Sequence, residues 1–397
     1  MNYCELMLVD GDDNHNKIYI MTQMNESQFK AEWGRYGSPL QSKRYSMSVW
    51  DSLKKQKLNK GYTDVTKMKS VVTNEISNYA PILDTVVAEL IDRILRYANE
   101  CIKKNYSIKK QDVTAEMLRT ARKYIEMLNN CVTENKSVDE FNTNLNKLFC
   151  IMPRKMRDVK DFLAKSEKDY AEIIERENDL INIMSSMTGD IEENAENGGK
   201  KTILETFGLE IRPCDEKENS KIKEKLTAES AEKFSCAFRI SNKKCDERFN
   251  KYVKEHHISK RDVHFYWHGT RNQNVWGILK KGMLLNPNAP ITGKMFGYGL
   301  YFAPRAKKSI GYTSLDGSYW AKGRSDEGYM FVMKVAYKKP LMVFNHEHRF
   351  CGFRNQDIKN AGCDALFASK DAGMLRNDEV IVYDEAQVCP RYLIILK

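Results

Sequence analysis

The stretch Phe265-Tyr266-Trp267-His268-Gly269-Thr270-Arg271 decides how the last third of the chain is read. An apolar, aromatic run ends on His268, and a glycine follows at once. Such β-prone runs bounded by glycine read as strands. Similar runs surround it: LETFGLEIRPC at 204–214, FSCAFRIS at 234–241, YMFVMKVAY at 329–337, EVIVYDEA at 379–386 and RYLIILK at 391–397. Short helical segments such as NVWGILKKG (274–282) lie between them. Residues 200–397 therefore read as an α+β domain with an antiparallel-rich sheet.

Three further segments carry polar side chains in a fixed order. TGKMFGYGLYFAP (292–304) sets Gly297 and Gly299 around Tyr298 and then Tyr301. KKSIGY (307–312) supplies Ser309 and Tyr312, and Glu379 starts the strand EVIVYDEAQV. Taken singly, each has a bland reading. His268 reads as a structural histidine, Tyr301 as core and Glu379 as a solvated charge. Taken in order, WHGT-R, T-G-x-M-F-G-x-G-L-Y-F-A, K-S-x-x-Y and E-x-I-V-Y-D-x-A-Q-V resemble the ADP-ribosyltransferase domain of the poly(ADP-ribose) polymerase family.

The resemblance implies a His-Tyr-Glu triad at His268, Tyr301 and Glu379, with NAD+ as substrate and no metal. Loss of nicotinamide leaves an oxocarbenium-like ribose, which a carboxylate stabilises. Gly269 and Ser309 are implied to hold the nicotinamide amide, with Tyr312 stacked on its ring and Tyr301 as the opposite wall. His268 is implied to bind the adenosine ribose, and Glu379 a hydroxyl of the nicotinamide ribose. Thr270, Arg271, Asn274 and Gly277 match positions lining the cofactor, and Gly297 and Gly299 allow close backbone approach. Family members without this Glu generally stop after one unit. Leu284 stands where the family often has Arg, and Lys294 where an aromatic is common. Residues 338–362 depart strongly from the family, in the region expected to border the acceptor.

Upstream the texture changes twice. Residues 3–9 and 16–22 are short apolar runs around GDDNHN and read as a hairpin; Met47–Leu53 reads as a short helix. Residues 41–60 carry Lys43, Arg44, Lys54, Lys55, Lys57 and Lys60 against Asp51 alone. With Trp33-Gly34-Arg35, residues 1–68 resemble a WGR domain, which in the family recognises a DNA 5′ end. Trp33 would then pack on a terminal sugar or base, and Arg35 would reach the duplex or a neighbouring domain. Lys54, Lys55, Lys57 and Lys60 would contact phosphates. The competing reading is a solvated basic face.

Residues 75–187 show helical periodicity at Val87, Leu90, Ile91 and Ile94, then at Met117, Leu118, Ala121, Ile125 and Leu128. Ser137 and Ser166, each before acidic residues, read as helix starts, and Pro153 as a helix stop. Asn129 and Asn130 read as polar residues on apolar faces. This bundle resembles the family's regulatory helical domain, which blocks productive NAD+ binding until DNA loosens it. Residues 188–200 are acidic and Gly-ended, a linker.

Composition sets the frame. A length of 397 residues corresponds to two to four domains. Apolar residues make up 42% and charged residues 30%, which excludes wholesale disorder. The net charge of +10 favours an anionic partner. The ten cysteines include no C-x-x-C pair, so neither a zinc finger nor a disulfide framework is expected. His346, Glu347 and His348 read as a solvated loop rather than a metal site. No secretory signal or membrane span is expected, so the chain reads as soluble and intracellular. Nuclear placement is implied by resemblance, with the cytoplasm open. The expected partners are DNA with strand breaks or 5′ ends, acceptor proteins and the chain itself, and the chain is expected to be a monomer without DNA. Three outcomes stay open: polymer synthesis, single ADP-ribose transfer, or a silent DNA-end-binding scaffold.

Overall fold

The computed structural model describes residues 2–68, 79–188, 201–285, 295–370 and 375–397. Two compact units emerge. One comprises Met1–Ile76 and Glu100–Ile191; the other comprises Ser77–Asn99, Glu192–Pro287 and Ile291–Lys397. The division falls inside helix α2 (Thr85–Asn105).

In the first unit, β1 (Tyr3–Asp10), β2 (His15–Gln23), β3 (Gln28–Arg35), β4 (Gln41–Ser46) and β5 (Thr63–Asp64) form a sheet in the order β4-β3-β2-β1-β5. The hairpin read from the two apolar runs is the β1–β2 pair, with Tyr3 opposite Thr22 and Asp10 opposite His15. The short helix is longer than expected: a 3-10 turn over Met47–Val49 leads into α1 (Trp50–Asn59). Leu6, Met21, Phe29 and Trp50 form the core against this sheet.

Helices α3 (Ala115–Thr133), α4 (Val138–Ile151) and α5 (Tyr170–Thr188) complete the unit. Met117, Leu118, Ala121, Ile125 and Leu128 are all buried, as their spacing requires. The Ser137 side chain accepts from the Glu140 N–H, and Ser166 forms a capping box with Asp169. Helix α4 stops at Ile151, two residues before Pro153.

The polar residues picked out on the bundle behave differently from expectation. The Asn129 amide donates to the Ile125 carbonyl of its own helix, and Asn130 is exposed. The buried polar group is instead Arg154, which pairs with Glu177, both only 2% exposed. Its remaining donors reach the carbonyl and side-chain oxygens of Asn105, at 3.0 and 3.2 Å. Periodicity missed this pair because Arg154 lies after the end of α4, outside any periodic run, and Glu177 stands on α5 among other charged and polar residues.

In the second unit, α6 (Ile203–Thr206), β6 (Leu209–Pro213), α7 (Glu216–Glu224), α8 (Ala228–Glu232), β7 (Phe234–Asn242) and α9 (Lys243–Glu255) precede β8 (Val263–Thr270). There follow α10 (Val275–Lys281), β9 (Leu300–Phe302), α11 (Ala306–Ile310) and β10 (Gly328–Ala336). The chain ends with β11 (Pro340–Val343), α12 (Asn355–Asn360), β12 (Ala365–Ala368), β13 (Glu379–Val382) and β14 (Val388–Leu396). The first sheet runs β6-β7-β14-β10-β8 and the second β11-β12-β13-β9. Every pair is antiparallel except β11 with β12. The architecture is α+β with antiparallel-rich sheets, as the alternation of apolar runs indicated. One two-way backbone bridge joins the sheets: Trp267 N–H donates to Ala303 O at 2.9 Å, and Ala303 N–H returns to Trp267 O at 3.0 Å.

All ten cysteines are free. Among the described residues no helix is long and apolar enough to cross a membrane.

Removing one partner of a buried ion pair strands the other charge. Glu177→Ala should therefore lower unfolding stability by about 3–5 kcal/mol. Urea denaturation followed by far-ultraviolet circular dichroism checks this, and Glu177→Gln should lose less because it keeps a hydrogen-bond acceptor.

Candidate functional site

The inter-sheet bridge brings three distant segments together. Trp267 is on β8 beside His268, and Ala303 follows β9 directly after Phe302. Strand β9 pairs with β13, with Tyr301 opposite Ile381 and Phe302 opposite Val380. Register therefore sets His268, Tyr301 and Glu379 on neighbouring strands of one region. His268 Nδ1 lies 3.2 Å from the Tyr301 carbonyl oxygen. Burial lowers the pKa of His268, so the neutral ring is favoured.

The Tyr301 hydroxyl donates to the Gly297 carbonyl at 2.8 Å and accepts from the Phe296 N–H at 3.1 Å. Its phenol is thereby fixed against the loop that precedes it, and burial raises its pKa. Gly297 has φ +74°, and a Cβ there would meet the Phe353 carbonyl oxygen at 2.3 Å. Both the conformation and the space demand glycine.

Helix α11 closes the site from a fourth side. A Cβ on Gly269 would lie 1.7 Å from the Ser309 carbonyl oxygen, so only glycine permits β8 and α11 to touch. Ser309 itself is 3% exposed. The residue before it, Lys308, pairs with Glu379; the two side chains are 12% and 10% exposed. Burial pushes the Lys308 ammonium down to about 8, and the neighbouring Glu379 carboxylate opposes that shift. Sequence reading gave Lys308 no role. Its signal was adjacency to Ser309, but only the fold shows that the β13 carboxylate is its partner.

The remaining site positions spread outward. Tyr312 is 42% exposed, with its ring stacked on Trp320 at 6.1 Å. Thr270 is buried on β8, Arg271 is exposed, and Asn274 caps α10, in which Gly277 lies. Gly299 packs against Ile381 and Val382 of β13. Leu284 is exposed, and Lys294 lies outside the described residues. His346 is not a solvated loop residue as expected. Its Nε2 sits 2.9 Å from the Met295 carbonyl, so it pins the same loop that Tyr301 holds. His348 begins a 3-10 turn, His348–Gly352, and is exposed.

Asn272 and Glu327 also escaped the sequence reading. The Asn272 N–H donates to Ser314 Oγ at 3.0 Å, and its amide donates to the Glu327 carbonyl at 3.1 Å. The 5%-exposed Glu327 carboxylate accepts from the Tyr97 and Tyr329 hydroxyls, at 2.7 and 3.0 Å, and faces Arg93 at 3.6 Å. Tyr97 and Arg93 come from α2.

In the first unit, Trp33 is half-buried and stacks on Tyr19 at 6.0 Å. Lys57 lies over the other aromatic neighbour, with its Nζ 4.1 Å from the Tyr19 ring centroid. Lys54 pairs with Asp64 at 2.7 Å, while Lys55 on α1 and Lys60 just after its end are exposed. Arg35 donates to the carbonyls of Asn14, Met156 and Arg157 at 2.9–3.0 Å, so its fork is occupied within its own unit.

Comparison with known proteins places this geometry. The poly(ADP-ribose) polymerase catalytic domain matches residues 217–397. An uncharacterized protein, 101L, of Invertebrate iridescent virus 6 is 28% identical over 48% of this chain and 80% of its own length. Poly [ADP-ribose] polymerase 1 of Xenopus laevis is 35% identical over 33% of this chain, and poly [ADP-ribose] polymerase 2 of Homo sapiens 31% identical over 34%. The chain spans only 15% and 27% of those two longer polymerases. Residues 217–397 are thus similar to the catalytic domain of the poly(ADP-ribose) polymerase family.

Proposed function

We propose that the chain is a DNA-break-activated ADP-ribosyltransferase that cleaves NAD+, releases nicotinamide and attaches poly(ADP-ribose) to proteins, itself included. The observation that carries the reading is the convergence of His268, Tyr301 and Glu379 through the Trp267–Ala303 bridge and the β9–β13 register. The residues fit the substrate. The close approach of Gly269 to Ser309 leaves a tight backbone corner for a flat amide, and the exposed Tyr312 ring offers a stacking face.

The chemistry follows from those placements. The bond between nicotinamide and C1′ breaks, leaving positive charge on the ribose. Glu379 stabilises that charge, and Lys308 holds the carboxylate ionised and oriented. An acceptor oxygen then bonds to C1′, and its proton passes to Glu379 as general base. His268, kept neutral by burial, donates to or accepts from the adenosine ribose and thereby fixes the cofactor.

Residues 1–68 act as a WGR-like DNA-binding domain, 75–187 as the regulatory helical domain and 200–397 as the catalytic domain. Supporting the first is the Trp33–Tyr19–Lys57 stack beside exposed Lys55 and Lys60. Supporting the second is the Arg93 and Tyr97 grip on Glu327, whose backbone holds Asn272 next to Arg271. DNA that favours release of this helix would shift the population toward an open site. The nucleus is the compartment implied by resemblance, with the cytoplasm open.

With labelled NAD+ and nicked duplex, the wild type should give a ladder of products. Glu379→Gln should shorten or abolish the ladder while NAD+ binding falls less than about tenfold. An unchanged ladder would remove the role given to Glu379.

The pH dependence has a defined sign. Burial depresses the folded pKa of Lys308 and the Glu379 carboxylate raises it, so its proton is lost as pH rises above about 8. Its grip on Glu379 is lost in that window, and turnover at saturating NAD+ should fall there. Lys308→Met should lack this step and show low turnover at every pH. Wild-type and Lys308→Met turnover that match at every pH would contradict the role given to Lys308.

A further inference from the structure

The loop after Tyr312 displays more aromatic surface than a nicotinamide wall requires. Tyr312, Tyr319 and Trp320 are 42%, 64% and 50% exposed. Their rings adjoin one another: Tyr312 and Trp320 stack at 6.1 Å and 19°, and Tyr319 meets Trp320 edge-on at 4.7 Å. The Arg376 guanidinium lies 5.6 Å from the Tyr319 ring centroid. Clustered apolar rings facing water are costly and mark a contact surface.

The platform is rigidly built. The N–H groups of Trp320 and Ala321 both donate to the Gly311 carbonyl at 2.9 Å. Ser318 Oγ donates to the carbonyls of Thr313 and Leu315, at 2.7 and 2.6 Å, and Asp316 N–H to Ser325 O at 2.7 Å. A Cβ on Gly323 would sit 2.1 Å from the Leu315 carbonyl, so the loop returns on itself without slack. Rings held this way lose little freedom when a ligand arrives.

The same loop borders a cleft of about 670 Å³ lined by Tyr97, Arg271, Gln273, Lys322, Arg324 and one carboxylate, Asp326, among others. Aromatic faces beside a cationic cleft suit a ligand that alternates flat bases with phosphates. We propose that Tyr319, Trp320 and Arg376, with Lys322 and Arg324, form a binding surface for single-stranded nucleic acid on the catalytic domain itself. Bases stack on Tyr319 and Trp320, and Lys322 and Arg324 hold the backbone. The adjoining Tyr319 and Trp320 rings match a strand with a base at every phosphate. An ADP-ribose chain separates its adenines by a pyrophosphate and two riboses and matches them less well. This surface is separate from the Trp33 face and adjoins the proposed cofactor positions Arg271 and Tyr312.

The test is fluorescence anisotropy of a labelled oligothymidylate of about 15 nucleotides with the full chain and no NAD+. Tyr319→Ala and Arg376→Ala change exposed side chains, and each should weaken binding about tenfold; Trp320→Ala should weaken it further. Arg376→Ala should also flatten the salt dependence between about 50 and about 200 mM. The double variant Lys217→Glu/Lys223→Glu, at two exposed lysines of α7, should bind within about twofold of wild type. Wild-type affinity in the Tyr319 and Arg376 variants would overturn the proposal. So would loss of binding in the lysine double variant, or displacement of the oligonucleotide by ADP-ribose polymer at lower phosphate concentration. None of these outcomes bears on NAD+ turnover, which is measured separately.

Discussion

Two short backbone contacts hold the catalytic region in place: the paired hydrogen bonds of Trp267 with Ala303, and the approach of Gly269 to the Ser309 carbonyl. The first sets β8 against β9 and so brings His268 to Tyr301. The second presses α11 onto β8 and delivers Lys308 to Glu379 at the start of β13. Neither contact depends on a side chain that another residue type supplies, apart from the missing Cβ of Gly269. The geometry of the site is therefore largely a property of backbone register.

Much of this was legible in the sequence, for identifiable reasons. Apolar runs bounded by turn residues marked β6, β7, β8, β10, β13 and β14, and the 3.6 period marked α3. Caps at Ser137 and Ser166 were read from one residue type followed by acids. The short strands β9, β11 and β12 were not resolved as elements, because three or four residues carry no measurable period. Long-range pairings between single charges were invisible. Nothing local to RSDEG tells that Glu327 is buried and gripped by Arg93 and Tyr97, more than two hundred residues earlier. Lys308 with Glu379, and Arg154 with Glu177, are of the same kind.

The basic N-terminal texture resolves into unlike roles. Arg35 binds carbonyls, Lys54 binds Asp64, and Lys57 covers Tyr19, whereas Lys55 and Lys60 remain exposed. A count of cations overstates what such a face offers to phosphates, since some are committed to the fold. The His346 case runs the other way: a residue in a polar loop turns out to brace the Met295 end of the segment that Tyr301 also holds.

The proposed function depends on Gly269, Ser309 and Tyr312 acting as a nicotinamide corner. Calorimetric titration of a benzamide that mimics nicotinamide tests that corner without requiring turnover or DNA. The account predicts saturable binding to the wild type, about tenfold weaker binding to Tyr312→Ala, and no detectable binding to Gly269→Ala. Equal affinity across the three proteins would contradict it.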